Sequence, residues 1–169
     1  MAQIARRICL TGPECTAKTT IAAQLARELG VPFVPEYSRE YAETCGHTLT
    51  AADVEPIARG TIAAIDAAGD AHVLDTDLIS TVVYARHYYG ACPPWIVAAA
   101  RAHRADLYLL MNTDLPWEPD GIRDTPGPAR ETLFHTFRAA LEEFDASYEI
   151  VSGVGEARVE NALRAIRRG

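Results

Sequence analysis

Eight residues near the N-terminus, Gly12-Pro13-Glu14-Cys15-Thr16-Ala17-Lys18-Thr19, follow the pattern G-x-x-x-x-G-K-[ST] at every position but one. Such a loop binds phosphate because successive backbone N–H groups point into one concavity at a helix N-terminus, where the helix dipole also favours an anion. Lys18 is placed to reach the β- and γ-phosphates of a nucleoside triphosphate, and Thr19 to set its hydroxyl on Mg²⁺. Gly12 supplies the turn. Glu14, Thr16, Ala17 and Thr20 complete the cradle. The departure is Ala17, where the pattern has glycine; a small side chain is the chief demand there, and alanine suits a helical backbone but not a positive φ. A strand-glycine-helix junction arising by chance would not carry an apolar strand before, a periodic helix after and an intact Lys-Thr pair.

Phosphoryl transfer needs positioning, charge neutralisation and one carboxylate to orient or deprotonate the attacking hydroxyl. "VLDTD" supplies two carboxylates at the end of a strand, Asp75 and Asp77, where a Mg²⁺ ligand and a general base are wanted. Aspartate also caps helices readily, so one of the pair is expected to be structural and the other functional. "PEYSREY" brings Glu36 to the end of another strand as an acceptor for sugar hydroxyls, with Arg39 near phosphate or in a surface ion pair. Tyr37 and Tyr41 read as packing residues, Tyr37 also standing among the substrate contacts beside Glu36. The Pro-, Gly- and Asp-rich stretch at about 113–128 is long enough to be a lid. It offers Trp117, Asp120 and Arg123, and Arg123 could close over the transferring phosphoryl group. Arg130, just beyond, starts a helix and has exposure as its simpler reading. Trp117 either stacks on an aromatic ring or pins the loop.

These residues need a scaffold, and the chain alternates strand and helix patterns. "RRICLT", "VPFVPE", "AHVLDTD", "ADLYLLMN" and "SYEIVSG" read as five strands. Between them lie helical patterns: "AKTTIAAQLARELG" with Ile21, Leu25 and Leu29 on one face and Gly30 as terminator, "YSREYAETCG", a longer one capped by Thr50, "LISTVVYARHYYG" ending at Gly90, and "PPWIVAAARAHR". "ETLFHTFRAALEEFDA" and "GEARVENALRAIRRG" complete the set. Alternation of this kind implies right-handed crossovers and an α/β fold, a five-stranded parallel sheet covered by helices on both faces. At 169 residues the length predicts one domain over 1–169.

A formal charge of −7 argues against a nucleic-acid binder. No apolar run approaches a membrane span, and the N-terminus reads as a strand rather than a signal peptide. Cys9, Cys15, Cys45 and Cys92 form no C-x-x-C pair or metal-ligand spacing, as in reduced cytosolic proteins. The histidines form no cluster.

With "GPECTAKT", "PEYSREY", "IARG", "LDTDLIST" and "YLLMNTDLPWEPDGIRD" in that order, the chain resembles the ribosylnicotinamide kinase domain of the bacterial NAD-biosynthesis regulator. The resemblance covers essentially the whole chain, and its last two stretches are the specific ones. It implies a P-loop NTPase fold of nucleoside-kinase type, with ATP and Mg²⁺ as cofactors and phosphorylation of the ribose 5′-hydroxyl of nicotinamide riboside. It places Lys18 and Thr19 on ATP and Mg²⁺, Glu36, Asp75 and Asp77 around ribose and metal, and Arg123 in the lid. Neither the helix-turn-helix nor the adenylyltransferase of that regulator is found in these residues, so neither activity is carried over. The family is expected to clamp its pyridine between two aromatic rings; here Pro35 takes the first position and "GTIAAIDAAGD" has no aromatic residue. Trp95, Trp117 or a tyrosine of "YARHYYG" are the replacements available. The remaining readings are a kinase for another nucleoside or small hydroxylated metabolite, and a non-catalytic ATP-binding regulatory module. The sequence leaves the oligomeric state open.

Overall fold

The structure, a computed structural model, describes residues 6–119 and 127–169. Five strands form one parallel sheet: β1 (Arg7–Thr11), β2 (Phe33–Val34), β3 (His72–Asp75), β4 (Leu107–Met111) and β5 (Tyr148–Val151), in the order β2-β3-β1-β4-β5. Seven helices connect them among the described residues: α1 (Lys18–Leu29), α2 (Tyr37–Thr44), α3 (Val54–Ala67), α4 (Leu78–Tyr89), α5 (Pro94–Ala102), α6 (Pro128–Glu143) and α7 (Glu156–Arg168). This is the architecture expected from the alternating pattern.

All five residues of β4 are buried, as are Ile8 to Thr11 of β1, because helices cover both faces of these central strands. Their period-two alternation feeds two cores. Ile8, Leu10, Leu107 and Leu109 pack with Ile21, Leu25, Val159 and Ala162 of α1 and α7. Cys9, Leu74, Tyr108 and Leu110 pack with α3, α4, α5 and α6, where Phe137 and Phe144 are fully buried. Register is fixed by parallel pairing of Leu10 with Asp75 on one side and with Leu109 on the other. The chain leaves β1 towards β2 but leaves β3 towards β4, so the loops after β1 and β3 part in opposite directions and open a crevice beyond the carboxyl ends of these strands.

Helix ends follow local chemistry. Gly30 and Gly90 close α1 and α4 in the left-handed conformation, as their positions predict. Thr50 forms a reciprocal capping box with Asp53, but the first turn, Ala51–Asp53, is a 3₁₀ turn that leads into α3. Two boundaries differ from the sequence reading. The second strand shrinks to two residues, since Pro32 and Pro35 lack the N–H groups a longer ladder needs. Helix α6 starts at Pro128, three residues before the expected Glu131, because proline suits a first helical turn.

Candidate functional site

The loop between β1 and α1 has the geometry of an anion cradle. Gly12 has φ 125°, and a Cβ there would lie 3.0 Å from the Met111 carbonyl oxygen, so β4 leaves room only for glycine. Cys15 and Ala17 are left-handed at φ 57° and 63°. For residues other than glycine that conformation costs roughly 1–2 kcal/mol each. Turning the backbone between right- and left-handed residues is what aims consecutive amides into one hollow. The strain therefore falls on the residues that shape the cradle. Ala17 corrects the sequence reading: it is the residue before the helix, not part of it, and the glycine pattern there is a demand on φ as well as on size.

Lys18 is buried, its Nζ donating to the Pro13 carbonyl at 2.5 Å, and the Thr16 hydroxyl donates to the same oxygen at 2.9 Å. Thr19 and Thr20 stand exposed on the first turn of α1. Glu14, expected in the cradle, is buried and faces α4: one oxygen lies 3.4 Å from the Tyr84 hydroxyl, and the other has no hydrogen-bond partner among the described residues. Beneath the loop lies Arg158, 1% exposed, which the sequence reading missed. It donates to the Thr16 carbonyl at 3.2 Å, to Asp114 at 2.5 Å, and to the carbonyls of Gly153 and Asn112, tying the cradle to the ends of β4 and β5. The available signal was its place beside Val159 on the apolar face of α7, where an arginine is buried only if fully paired.

Asp75 and Asp77 are separated by Thr76 at φ 62°, a strained setting for a β-branched residue. That residue sends the two carboxylates in different directions. Asp75 Oδ2 accepts from the Thr19 hydroxyl at 2.5 Å, joining strand end to cradle, while its buried Oδ1 has no partner among the described residues. Burial pushes the Asp75 carboxyl up and the Thr19 hydroxyl opposes this; Glu36, Lys18 and Arg39 are all close enough to bias it further. Asp77 caps α4 through the Ile79 amide at 3.0 Å and accepts from the Tyr108 hydroxyl at 2.5 Å. Burial pushes its carboxyl up to about 6 despite both bonds. Both oxygens of Asp77 are thus engaged by the scaffold, whereas Asp75 keeps an oxygen for another ligand. An unpaired buried carboxylate oxygen beside a threonine hydroxyl fits a hard divalent cation. Among the described residues no cluster of three or more histidine, cysteine or acidic side chains could hold a metal alone.

Beside the cradle a cavity of about 720 Å³ opens between α2, the segment 45–50, α3 and α4. Glu36 lines it, preceding α2, buried, accepting from the Ser38 hydroxyl at 2.7 Å with Arg39 at 3.9 Å. Tyr37 also lines it. The Tyr37 ring lies on Gly60, where a Cβ would sit 2.0 Å from ring carbon Cε1; this is the physical reason for glycine in "IARG". Pro35 lines the cavity without an aromatic opposite it on α3, as the sequence suggested. Tyr84, Tyr88 and Tyr89 of α4 furnish rings instead, Tyr84 and Tyr88 being stacked with centroids 5.9 Å apart. Of the replacements considered, the tyrosines of α4 are in place. Trp95 packs under the Arg59 guanidinium (4.6 Å) outside the cavity, and Trp117 is also outside it, its Nε1 buried and lacking a partner among the described residues.

Asp120 and Arg123 lie outside the described residues. The stretch before them rests on the cradle through Cys15 Sγ, 2.8 Å from the Glu118 carbonyl. Arg130 is buried rather than exposed, because its guanidinium donates to the carbonyls of Thr113 and Leu115 at 2.9 and 2.5 Å, holding both ends of this connection together.

Comparison with known proteins bears on the fold and the family. A family model for an AAA domain matches residues 7–158. The trifunctional NAD biosynthesis/regulator protein NadR of Escherichia coli (strain K12) is 29% identical across 70% of this chain and 31% of its own length. The NadR of Salmonella typhimurium matches to the same extent. The chain therefore spans about a third of the curated relatives it matches. Among solved structures, NadR in complex with NR superposes with a TM-score of 0.71 at 24% identity, over 98% of this chain and 49% of that one. Thymidylate kinase from Ehrlichia chaffeensis gives 0.69 at 11% identity, over 98% and 100%. The fold is that of the P-loop kinases.

Proposed function

The chain belongs to the AAA domain family, and from that premise we propose that it is an ATP-dependent kinase that phosphorylates the ribose 5′-hydroxyl of nicotinamide riboside. The observation that carries this reading is the Thr19–Asp75 contact, which joins the phosphate cradle to the end of β3, where the next residues, Thr76 and Asp77, line the same cavity as Glu36. A mere sensor of nucleotide needs the cradle but not the second cavity.

ATP lies with its β- and γ-phosphates on the amides of residues 12–19, and Lys18 exchanges the Pro13 carbonyl for phosphate oxygens. Thr19 and Asp75 would hold a Mg²⁺ ion, which supplies charge neutralisation on the β- and γ-phosphates. The riboside enters the cavity with its 5′-hydroxyl towards Glu36. That hydroxyl oxygen bonds to the γ-phosphorus as the bond from phosphorus to the ADP oxygen breaks, and its proton passes to Glu36, leaving ADP and the 5′-phosphate. We assign the proton to Glu36 rather than Asp77 because freeing Asp77 would cost α4 its cap and the buried Tyr108 hydroxyl its acceptor, whereas Glu36 is engaged by Ser38 and Arg39, side chains that can turn aside for a ribose hydroxyl. Asp77 then serves to fix α4 and its tyrosines.

The relatives named for NAD biosynthesis and the structure described with NR support the acceptor. Pro35 and the absence of an aromatic residue on α3 favour a second reading, a kinase for another nucleoside. An ADP-release screen against pyridine, purine and pyrimidine nucleosides separates them. Turnover of nicotinamide riboside above the rest supports the first, and preference for a purine or pyrimidine nucleoside replaces it by the second.

A further inference from the structure

The cavity beside Glu36 has a one-sided charge. Among the described residues that line it there is no lysine and no arginine. Its ionisable groups are Glu36, Asp77, His47 and four tyrosines, Tyr37, Tyr84, Tyr88 and Tyr89. The rest of the wall is apolar or hydroxylic, with Leu49, Ile57 and Ile65 among its residues. Of the nearby cations, Lys18 is turned to the Pro13 carbonyl, and Arg39, outside the lining, stands 3.9 Å from Glu36. The His47 ring, in the lining, is 3.6 Å from Asp53. Tyr88 and Tyr89 are 48% and 38% exposed, so their rings are accessible from solvent. The Tyr84 and Tyr88 rings are stacked within 9° of parallel, and both line the cavity.

We propose that this cavity selects its acceptor by charge, taking nucleosides whose base is neutral or cationic and refusing those whose base carries a carboxylate or whose ribose already carries phosphate. The proposal rests on the kinase reading and deepens it. A carboxylate on the base would give up its water against the electron-rich faces of the tyrosines, in a lining that among the described residues holds no lysine or arginine to pair it. A pyridinium ring meets the opposite situation, since a positive ring is attracted to a tyrosine face. The polarity also sorts the ends of the site. Phosphate belongs with Lys18 and the cradle, the nucleoside with Glu36 and α4.

The test compares matched acceptors that differ in charge: nicotinamide riboside with nicotinic acid riboside, and uridine with its carboxylated analogue orotidine, by kcat/KM in an ADP-release assay with ATP. Where the uncharged or cationic member is turned over, its carboxylate partner is expected to fall by at least about thirtyfold. Equal kcat/KM within a pair that is turned over overturns the charge rule and leaves the kinase reading standing. Turnover of uridine but not of either pyridine riboside removes the proposed acceptor, and the uridine–orotidine ratio still decides the charge rule. No turnover of any acceptor removes the kinase reading and this inference with it. The variant Thr61→Lys, which puts a cation into the wall, is expected to narrow the wild-type ratio at least about tenfold, provided its circular dichroism is native. A ratio unchanged in that folded variant counts against the rule. A second readout uses the neutral reduced form of nicotinamide riboside. Tyr88→Ala is expected to raise KM more for the cationic riboside than for the neutral one, and an equal rise removes the tyrosine wall from the argument.

Discussion

The two halves of the site are built by different means. The phosphate cradle is backbone: eight consecutive residues, held in shape by left-handed Cys15 and Ala17, by Gly12 against β4 and by Arg158 beneath. The acceptor cavity is side chain: α2, the segment 45–50, α3 and α4 each supply part of a wall that exists only once the chain has folded. A backbone site tolerates changes of side chain as long as φ and ψ survive, and so keeps one ligand, a polyphosphate. A side-chain site changes its ligand whenever one wall residue changes. On the kinase reading, the phosphoryl donor is set by backbone and the acceptor by side chains.

Five substitutions should separate these halves. The largest effect is expected at the cradle: Lys18→Ala should lower turnover by about a thousandfold or more, as loss of a cationic clamp on the transferring group does, while riboside binding by calorimetry stays intact. Glu36→Gln should lower kcat by about a hundredfold while leaving ATP binding unchanged. Asp77→Asn, measured beside it, should lose less than about tenfold, because asparagine caps α4 as well as aspartate does. If the two losses were exchanged, Asp77 would be the proton acceptor and the division of labour set by Thr76 would be wrong. Gly60→Ala drives a methyl group into the Tyr37 ring and should raise the riboside KM by about tenfold, with the KM for ATP unmoved. The smallest effect is a gain. Ala17→Gly relieves a left-handed alanine and should improve nucleotide affinity or stability by about 1 kcal/mol, read by calorimetry and by thermal melting.

A pH measurement sharpens the contrast from the scaffold side. Folding raises the Asp77 pKa to about 6 from an ordinary value near 3.8, so between these values the native chain binds more protons than the unfolded one. The contribution of Asp77 to stability is complete below about pH 4 and is lost as pH rises through 6. Relative to Asp77→Asn, the wild type should lose on the order of 2–3 kcal/mol across that window. Urea unfolding at pH 4.5 and 7.5 checks this, and parallel pH profiles for the two proteins would contradict it.

What the sequence revealed, and what it hid, follows the same boundary. The cradle was legible because its residues are contiguous, and the five-stranded alternating fold because period and helix terminators are local signals. The sequence reading set Thr19 on Mg²⁺ and Asp75 among the carboxylates near the metal; the direct contact between the two side chains is a finding of the fold, which brings the first turn of α1 to the end of β3. The split between Asp75 and Asp77 was not legible: it depends on a left-handed threonine and on Tyr108, 31 residues away. Arg130 and Arg158 were read as surface or passed over because their partners are carbonyls of distant turns, which sequence patterns do not mark. The cavity's tyrosines carried no helical stripe that set them apart from core residues; the fold alone turns Tyr84, Tyr88 and Tyr89 towards Glu36.

The central claim, that cradle and cavity act on one hydroxyl, is tested most directly by following the phosphorus itself. Incubated with ATP, magnesium and nicotinamide riboside, the protein should give a phosphorus-31 signal of a monophosphate ester coupled to the two 5′ protons of the ribose, in one-to-one proportion with ADP. ADP accompanied only by inorganic phosphate, or ATP left unconsumed by a protein that binds both ligands, would contradict it.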